Sequence, residues 1–269
     1  MTAMVRERSN TRIARRRFAN RLLEWVLIVV AALVIVGMAS VILVLVVNGV
    51  IALVSTPSGV LALLESALWE SARMVGLSVV VAVPIGVASG VFFAQASRSN
   101  RFVSLIRFIS EAMIGLPSVV AGVVVVVALG HIAGGVAWMM GSCALALLMM
   151  PVVANTTYCA LFDSASSLRE AAFVLGSRPW RTMLRVGLRA SASGIVLGGL
   201  VGVAETAVEI APILIAHGSV GEQSNASLHV LAYETFHSDA SLAWASTLVL
   251  TVCAVAIVWF SRYVESKVR

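Results

Sequence analysis

Between residues 161 and 189 the chain reads LFDSASSLREAAFVLGSRPWRTMLRVGLR, mixing charge and helix formers in a way the apolar runs on either side do not. Ser164 to Ser167 offer N-caps, Glu170 sits in a first turn where negative charge suits the helix dipole, and Gly176 is placed to stop the helix. A second amphipathic segment follows Pro179. The expected form is a short helix, a break and a second helix on a membrane surface, a projection whose outer face can dock into another protein.

The flanking sequence sets the fold class. The 269 residues are 60% hydrophobic and 12% charged, where soluble domains carry about 25% charged residues. Lipid offers the backbone no hydrogen-bond partners, so spans must be helices or closed barrels, and long apolar runs exclude the alternation of a barrel. An all-α membrane protein follows. Six runs come near the ~20 residues a bilayer requires: 25–54, 74–96, 107–129, 136–159, 190–216 and 242–262. The first follows Arg6, Arg8, Arg12, Arg15, Arg16, Arg17 and Arg21 and is too long for a signal-peptide core, so it reads as a retained anchor.

Six spans put both termini on one side, and arginine and lysine near span ends mark the cytoplasmic side. Arg98, Arg101 and Arg107, then Arg169, Arg178, Arg181, Arg185 and Arg189, then Arg262, Lys267 and Arg269 are all expected inside with the amino terminus. The opposite loops, 50–73, 130–135 and 217–241, hold Glu65, Glu70, Glu222, Glu234 and Asp239 but one basic residue, Arg73. The net charge of +6 is thus a topogenic signal, and no nucleic-acid reading is needed. Cys143, Cys159 and Cys253 are odd in number and are expected reduced and buried. The four histidines lack metal-ligand spacing, so no metal is assigned.

Glu170-Ala171-Ala172, then Gly176, then Val186-Gly187-Leu188 resembles the EAA loop of binding-protein-dependent ABC importers. That pattern ends I-x-L-P, and Arg189 stands at its final proline. The resemblance implies a coupling helix, seated in a groove of a cytoplasmic ATPase, with Glu170, Ala171, Ala172, Gly176, Arg178 and Leu188 as coupling residues. A wider similarity, from about 69 to 262, points to the phosphate-importer branch, the PstA-type permeases. It rests on Pro84-Ile85-Gly86, the stretch Gly115-Leu116-Pro117-Ser118-Val119-Val120-Ala121-Gly122, Ala144 to Pro151, and Ala211-Pro212-Ile213-Leu214. It implies a MetI-like ABC type I importer permease fold with six transmembrane helices: a basic cytoplasmic segment 1–24, a peripheral first helix 25–54, a five-helix core 67–263 carrying the loop 161–189, and a cytoplasmic tail 264–269. It also implies a PstC-like second permease, a PstB-like ATPase dimer, a PstS-like phosphate-binding protein and a bacterial inner-membrane location.

Ionisable groups inside spans are costly and are functional candidates by default. Glu205 and Glu209, at i and i+4, are expected to share a helix face lining the pathway, with Pro212 one turn on loosening the backbone. A straight helix places Glu205 about 24 Å from Arg189. Glu209 matches the family's glutamate, whereas Glu205 replaces its arginine, and Asn155-Thr156-Thr157-Tyr158-Cys159 replaces R-T-T-E-E. Three accounts of the extra acid stay open: one glutamate is protonated, the partner permease supplies arginines, or the substrate is not phosphate. Thr156 and Thr157 are neutral donors suited to an oxyanion. Gly115-Leu116-Pro117-Ser118 interrupts span three, and a helix restarting at Pro117 would aim amides at the pathway. Arg73 either receives an anion outside or pairs with Glu70.

The single lysine, Lys267, lies near the end of the sequence with no G-x-x-x-x-G-K-[ST] around it. ATP hydrolysis, with its magnesium, therefore falls to a partner chain, and this chain is expected to be a transporter subunit without a cofactor. Two alternatives remain: a permease for another oxyanion such as molybdate or sulfate, and a secondary transporter using Glu205 and Glu209.

Overall fold

The computed structural model describes residues 2–55, 58–96, 101–130, 136–220 and 226–268; the side chains of 2–19, 22, 58–59, 163–170, 173, 179, 265 and 268 are outside that description. Every regular element described is helical. In chain order these are α1 (Thr2–Ser55), α2 (Ser58–Gln95), α3 (Arg101–Ile114), α4 (Ser118–Leu129), α5 (Ala137–Val174) and α6 (Pro179–Thr182). A π-helical turn over Met183–Gly187 precedes α7 (Leu188–Ala190), α8 (Ala192–Thr206), α9 (Ala211–Val220), α10 (Leu228–Thr235) and α11 (Ala240–Val268).

The pair α2 and α5 forms the spine, and their small residues explain how closely they lie. Gly86 and Gly90 of α2 face Val153, Ala154 and Thr157 of α5, leaving no space for a Cβ. Lipid gives helices little reason to associate through hydrophobicity, so backbone approach of this kind carries the packing. On its other side α5 meets α8, where Gly198 abuts Thr156 and Gly202 abuts Met149 and Val153. Met149 and Val153 are wholly buried as a result. Gly122 of α4 lies against Pro212 of α9 in the same manner. Helix α1 is exposed along its apolar length and packs against α11, with Gly49 on Leu248.

Among the described residues four helices are long and apolar enough to cross a membrane, rising to six if two bent pairs each count as one span. The expected boundaries shift for physical reasons. The supposed outer loop 50–73 is largely helix, because SGVLALLESALWESAR is rich in strong helix formers and extends α2 back to Ser58. Outer segment 217–241 holds α10, which packs on α11 and α2. Span three is a bent pair, α3 and α4 meeting at 114°.

The N-caps expected at Ser164 to Ser167 do not exist, because α5 runs unbroken from Ala137 to Val174. A serine caps where the chain arrives non-helical; here it arrives as helix, and propagation is cheaper than a new nucleus. The helix expected to couple is therefore the far end of a span. Cys159 is exposed, contrary to the expected burial, while Cys143 and Cys253 are half-buried.

Candidate functional site

The projecting hairpin is built from the end of α5, a turn at Gly176, and α6. Gly176 has φ +77°, in the left-handed region that side chains avoid. The Ser177 amide donates to the Ala172 carbonyl at 3.0 Å, the long-range bond of a Schellman cap. At the tip Val174 and Leu175 are each 87% exposed, flanked by Trp180 and Leu184 at about half exposure. Apolar side chains left this bare at a helix end outside the spans form the kind of patch that contacts other proteins. Of the expected coupling residues, Ala171, Gly176 and Arg178 are exposed here, Ala172 and Leu188 half-buried, and the Glu170 side chain lies outside the described residues.

The hairpin is tied back to its own span. After α7 the chain turns by 68° into α8. At that elbow Ser191 is fully buried and its hydroxyl donates to the Ala160 carbonyl of α5 at 3.0 Å. The elbow also corrects the straight-helix estimate for Glu205. That residue lies on a groove of about 520 Å³ between α8 and α11, whose wall includes Ser261 and Arg262.

The two span-five glutamates do not share a helix face. Helix α8 ends at Thr206 and α9 starts at Ala211, so Glu205 belongs to the helix and Glu209 to the break between. Pro212 lies in the first turn of α9, where its missing amide costs nothing; the loosening expected there is a full interruption. Glu209 is half-buried and its amide donates to the Thr206 carbonyl at 3.2 Å, whereas Glu205 is exposed in this chain.

A residue that spacing did not single out holds this break. His229 of α10 is 1% exposed, and its Nε2 donates to the Ala207 carbonyl at 3.0 Å, leaving Nδ1 without a partner among the described residues. A carbonyl only accepts, so the proton sits on Nε2. Burial pushes the imidazole pKa below its ordinary value, more than the Ala207 bond raises it. No sequence signal pairs His229 with Ala207, since the contact depends on how α10 folds back.

The other expected pathway residues divide by placement. Thr156 is pinned against Gly198 and its hydroxyl bonds back to the Val152 and Val153 carbonyls at 2.9 and 3.1 Å. Thr157 is fully buried against Gly90. Both hydroxyls therefore sit at helix interfaces in this conformation, while Asn155, one residue earlier, is exposed. Helix α4 starts at Ser118 rather than Pro117, and no side chain caps its first amides. Arg73 donates to the buried Glu70 carboxylate at 2.7 Å and lies 4.1 Å over the Trp138 ring, so the interfacial pairing forms. Arg107, expected as a cytoplasmic flank, pairs with Glu111 at 2.9 Å and lies 4.0 Å over Tyr158. Among the described residues no cluster of acids, histidines and cysteines could hold a metal.

The chain is similar to proteins that place these features. A phosphate transport system permease protein PstA of Yersinia pestis is 33% identical over 218 residues, covering 76% of this chain and 72% of that one. Its counterpart from Haemophilus influenzae is 33% identical over 213 residues, 74% of each chain. In fold the chain resembles the inward-facing MetNI methionine ABC transporter, with a TM-score of 0.68 at 16% identity, over 80% of this chain and all of that one. Residues 82–269 match the family model for the binding-protein-dependent transport system inner membrane component. The stretch runs from the middle of α2 through α5, the hairpin and the broken span, and it shows that the chain belongs to that family of inner-membrane transport components.

Proposed function

We propose that this chain is the permease subunit of an ABC importer for inorganic phosphate. It would form half of the pathway with a second, PstC-like permease, above a PstB-like ATPase dimer that hydrolyses ATP with magnesium. A PstS-like binding protein delivers the anion from outside, and both termini lie in the cytoplasm. The observation that carries the reading is the hairpin: α5 extends past Leu161 into a capped tip with bare Val174 and Leu175, in a chain related to PstA proteins.

The mechanical route is short. A motor gripping the tip around Glu170 to Arg178 pulls directly on α5, because no joint separates the tip from the spine. The same motion reaches α8 through the Ser191–Ala160 bond at the elbow. Helix α8 ends at the break that holds Glu209, so nucleotide-driven displacement is delivered to the pathway face of span five. Glu205, Glu209, Pro212, Asn155, Thr156, Thr157, Pro117, Ser118 and Arg73 are assigned to that pathway, with arginines of the second permease balancing the two glutamates.

Expression of the tagged chain with its partners tests this. A cytoplasmic ATPase should co-purify, and Glu170→Arg or Gly176→Pro should remove it, since proline cannot adopt φ +77°. Labelled phosphate should enter in preference to molybdate and sulfate. Uptake of either of those instead reassigns the substrate, and pH-driven transport by the purified chain alone in liposomes defeats the reading.

A further inference from the structure

Arg107 sits on α3, facing the spine. Its Nε donates to Glu111 Oε1 at 2.9 Å, one turn along the same helix. Its guanidinium lies 4.0 Å from the centre of the Tyr158 ring on α5. A cavity of about 440 Å³ opens on it, walled by Phe93 of α2 and by Ser104, Arg107, Phe108 and Glu111 of α3. A narrow adjoining space is lined by Arg107, Glu111, Ser110, Asn155 and Tyr158. Two helices of the rigid spine thus supply one wall, and α3 supplies the other.

The chemistry of this recess is that of an oxyanion site. Guanidinium offers five donors in a planar fork that matches phosphate oxygens, and stacking on Tyr158 fixes its plane. Asn155, Ser104 and Ser110 add neutral donors around it. Glu111 keeps the cation partnered while the recess is empty. Its side chain is 54% exposed and that of Arg107 31%, and an ion pair that open to solvent is weak enough for an incoming anion to replace. The cavity exceeds a bare phosphate, so the ion keeps part of its water, which suits a site that must let go. Tyr158 presents its ring face to Arg107.

We propose that Arg107, with Asn155, Ser104 and Ser110, binds a phosphoryl oxyanion at the inner end of the pathway, displacing Glu111 as it does so. The proposal rests on the phosphate-permease reading. The same chemistry would bind the phosphodiester of an anionic lipid, since Phe102, Leu105 and Phe108 on α3 are exposed.

The test uses the intact importer with its partner permease, ATPases and binding protein, in vesicles of phosphatidylcholine alone or with phosphatidylglycerol. Labelled phosphate uptake is measured for wild type, Arg107→Ala, Arg107→Lys and Glu111→Gln. Arg107→Ala should lower maximal uptake by about tenfold or more, the range set by a charged hydrogen bond. Arg107→Lys should recover part of it, and Glu111→Gln should lower KM and kcat together, because the anion loses its competitor and leaves slowly. If these effects appear in both vesicle types, the bound group is the transported anion; if they appear only with phosphatidylglycerol, it is a lipid headgroup. Wild-type rates for both arginine variants overturn the proposal. So does a Glu111→Gln that matches Arg107→Ala, since the pair is then merely structural. A wild-type complex that imports no phosphate overturns the permease reading and this site with it.

Discussion

Pro151 lies inside α5, and the helix runs on past it to Val174; further along, the chain leaves the helix at Ala207 and restarts at Ala211, one residue before Pro212. The two prolines remove the same backbone donor, yet one span stays whole and the other breaks. Around Pro151 the neighbours are Ala146, Met149 and Val153, packed against α2 on one side and α8 on the other. Carbonyls released there would have nothing to bond, so the helix absorbs the proline. Around Pro212 replacements exist: the Ala207 carbonyl accepts from His229 and the Thr206 carbonyl from the Glu209 amide. A proline thus breaks a span where other groups take over the backbone's hydrogen bonds.

The comparison breaks first at the place where the two spans meet. Gly198→Ala puts a methyl group into Thr156 Oγ1 and Cβ. Alanine gains ~0.5–1 kcal/mol in helix propensity, but overpacking costs ~1–3 kcal/mol, so the variant should be destabilised on balance. Thermal unfolding of the purified complex reads the loss. Thr156→Gly should recover part of it in the double variant, giving a coupling term of opposite sign. A neutral Gly198→Ala would mean that the rigid and broken spans are not in backbone contact.

A smaller effect is expected at the histidine. His229→Ala removes one buried hydrogen bond, worth about 1 kcal/mol, and frees the Ala207 carbonyl. Its pH dependence is the sharper reading. The folded pKa lies below the ordinary value of about 6.5, so the neutral ring's contribution is fully present above that pH. As pH falls below it, the unfolded state takes up the proton first and stability declines. His229→Ala should flatten that part of the profile between pH 7 and 5. His217 lies 3.6 Å from Glu234 on the neighbouring α9–α10 contact, which the substitution leaves in place. An unchanged profile would remove His229 as the group that holds the break.

The sequence carried the parts of this fold that depend on local chemistry. Apolar run length marked the spans, and Gly176 marked the end of the hairpin, because both follow from neighbouring residues alone. It did not carry the continuity of α5, since serines that cap a fresh helix are also tolerated within one already growing. Nor could it show that Glu205 and Glu209 part company, because their spacing reads as one face until His229 folds back from residues downstream. Arg107 was legible as a charge but not as a site: its partner Tyr158 comes from a distant span, at a position that departs from the family pattern.

The smallest effect is expected from Pro212→Ala, and it separates the two causes of the break. If His229 holds the Ala207 carbonyl, restoring a donor at position 212 leaves the interruption in place. The cost is then the lost rigidity of a first-turn proline, within ~1 kcal/mol. Amide hydrogen exchange at Val208 and Ile210 should stay fast in Pro212→Ala and slow only when His229→Ala is added, as α8 and α9 join. Protection in the single variant would assign the break to the proline ring. It would then fall to the packing around Pro151, not to any hydrogen-bond partner, to explain why α5 survives the same residue.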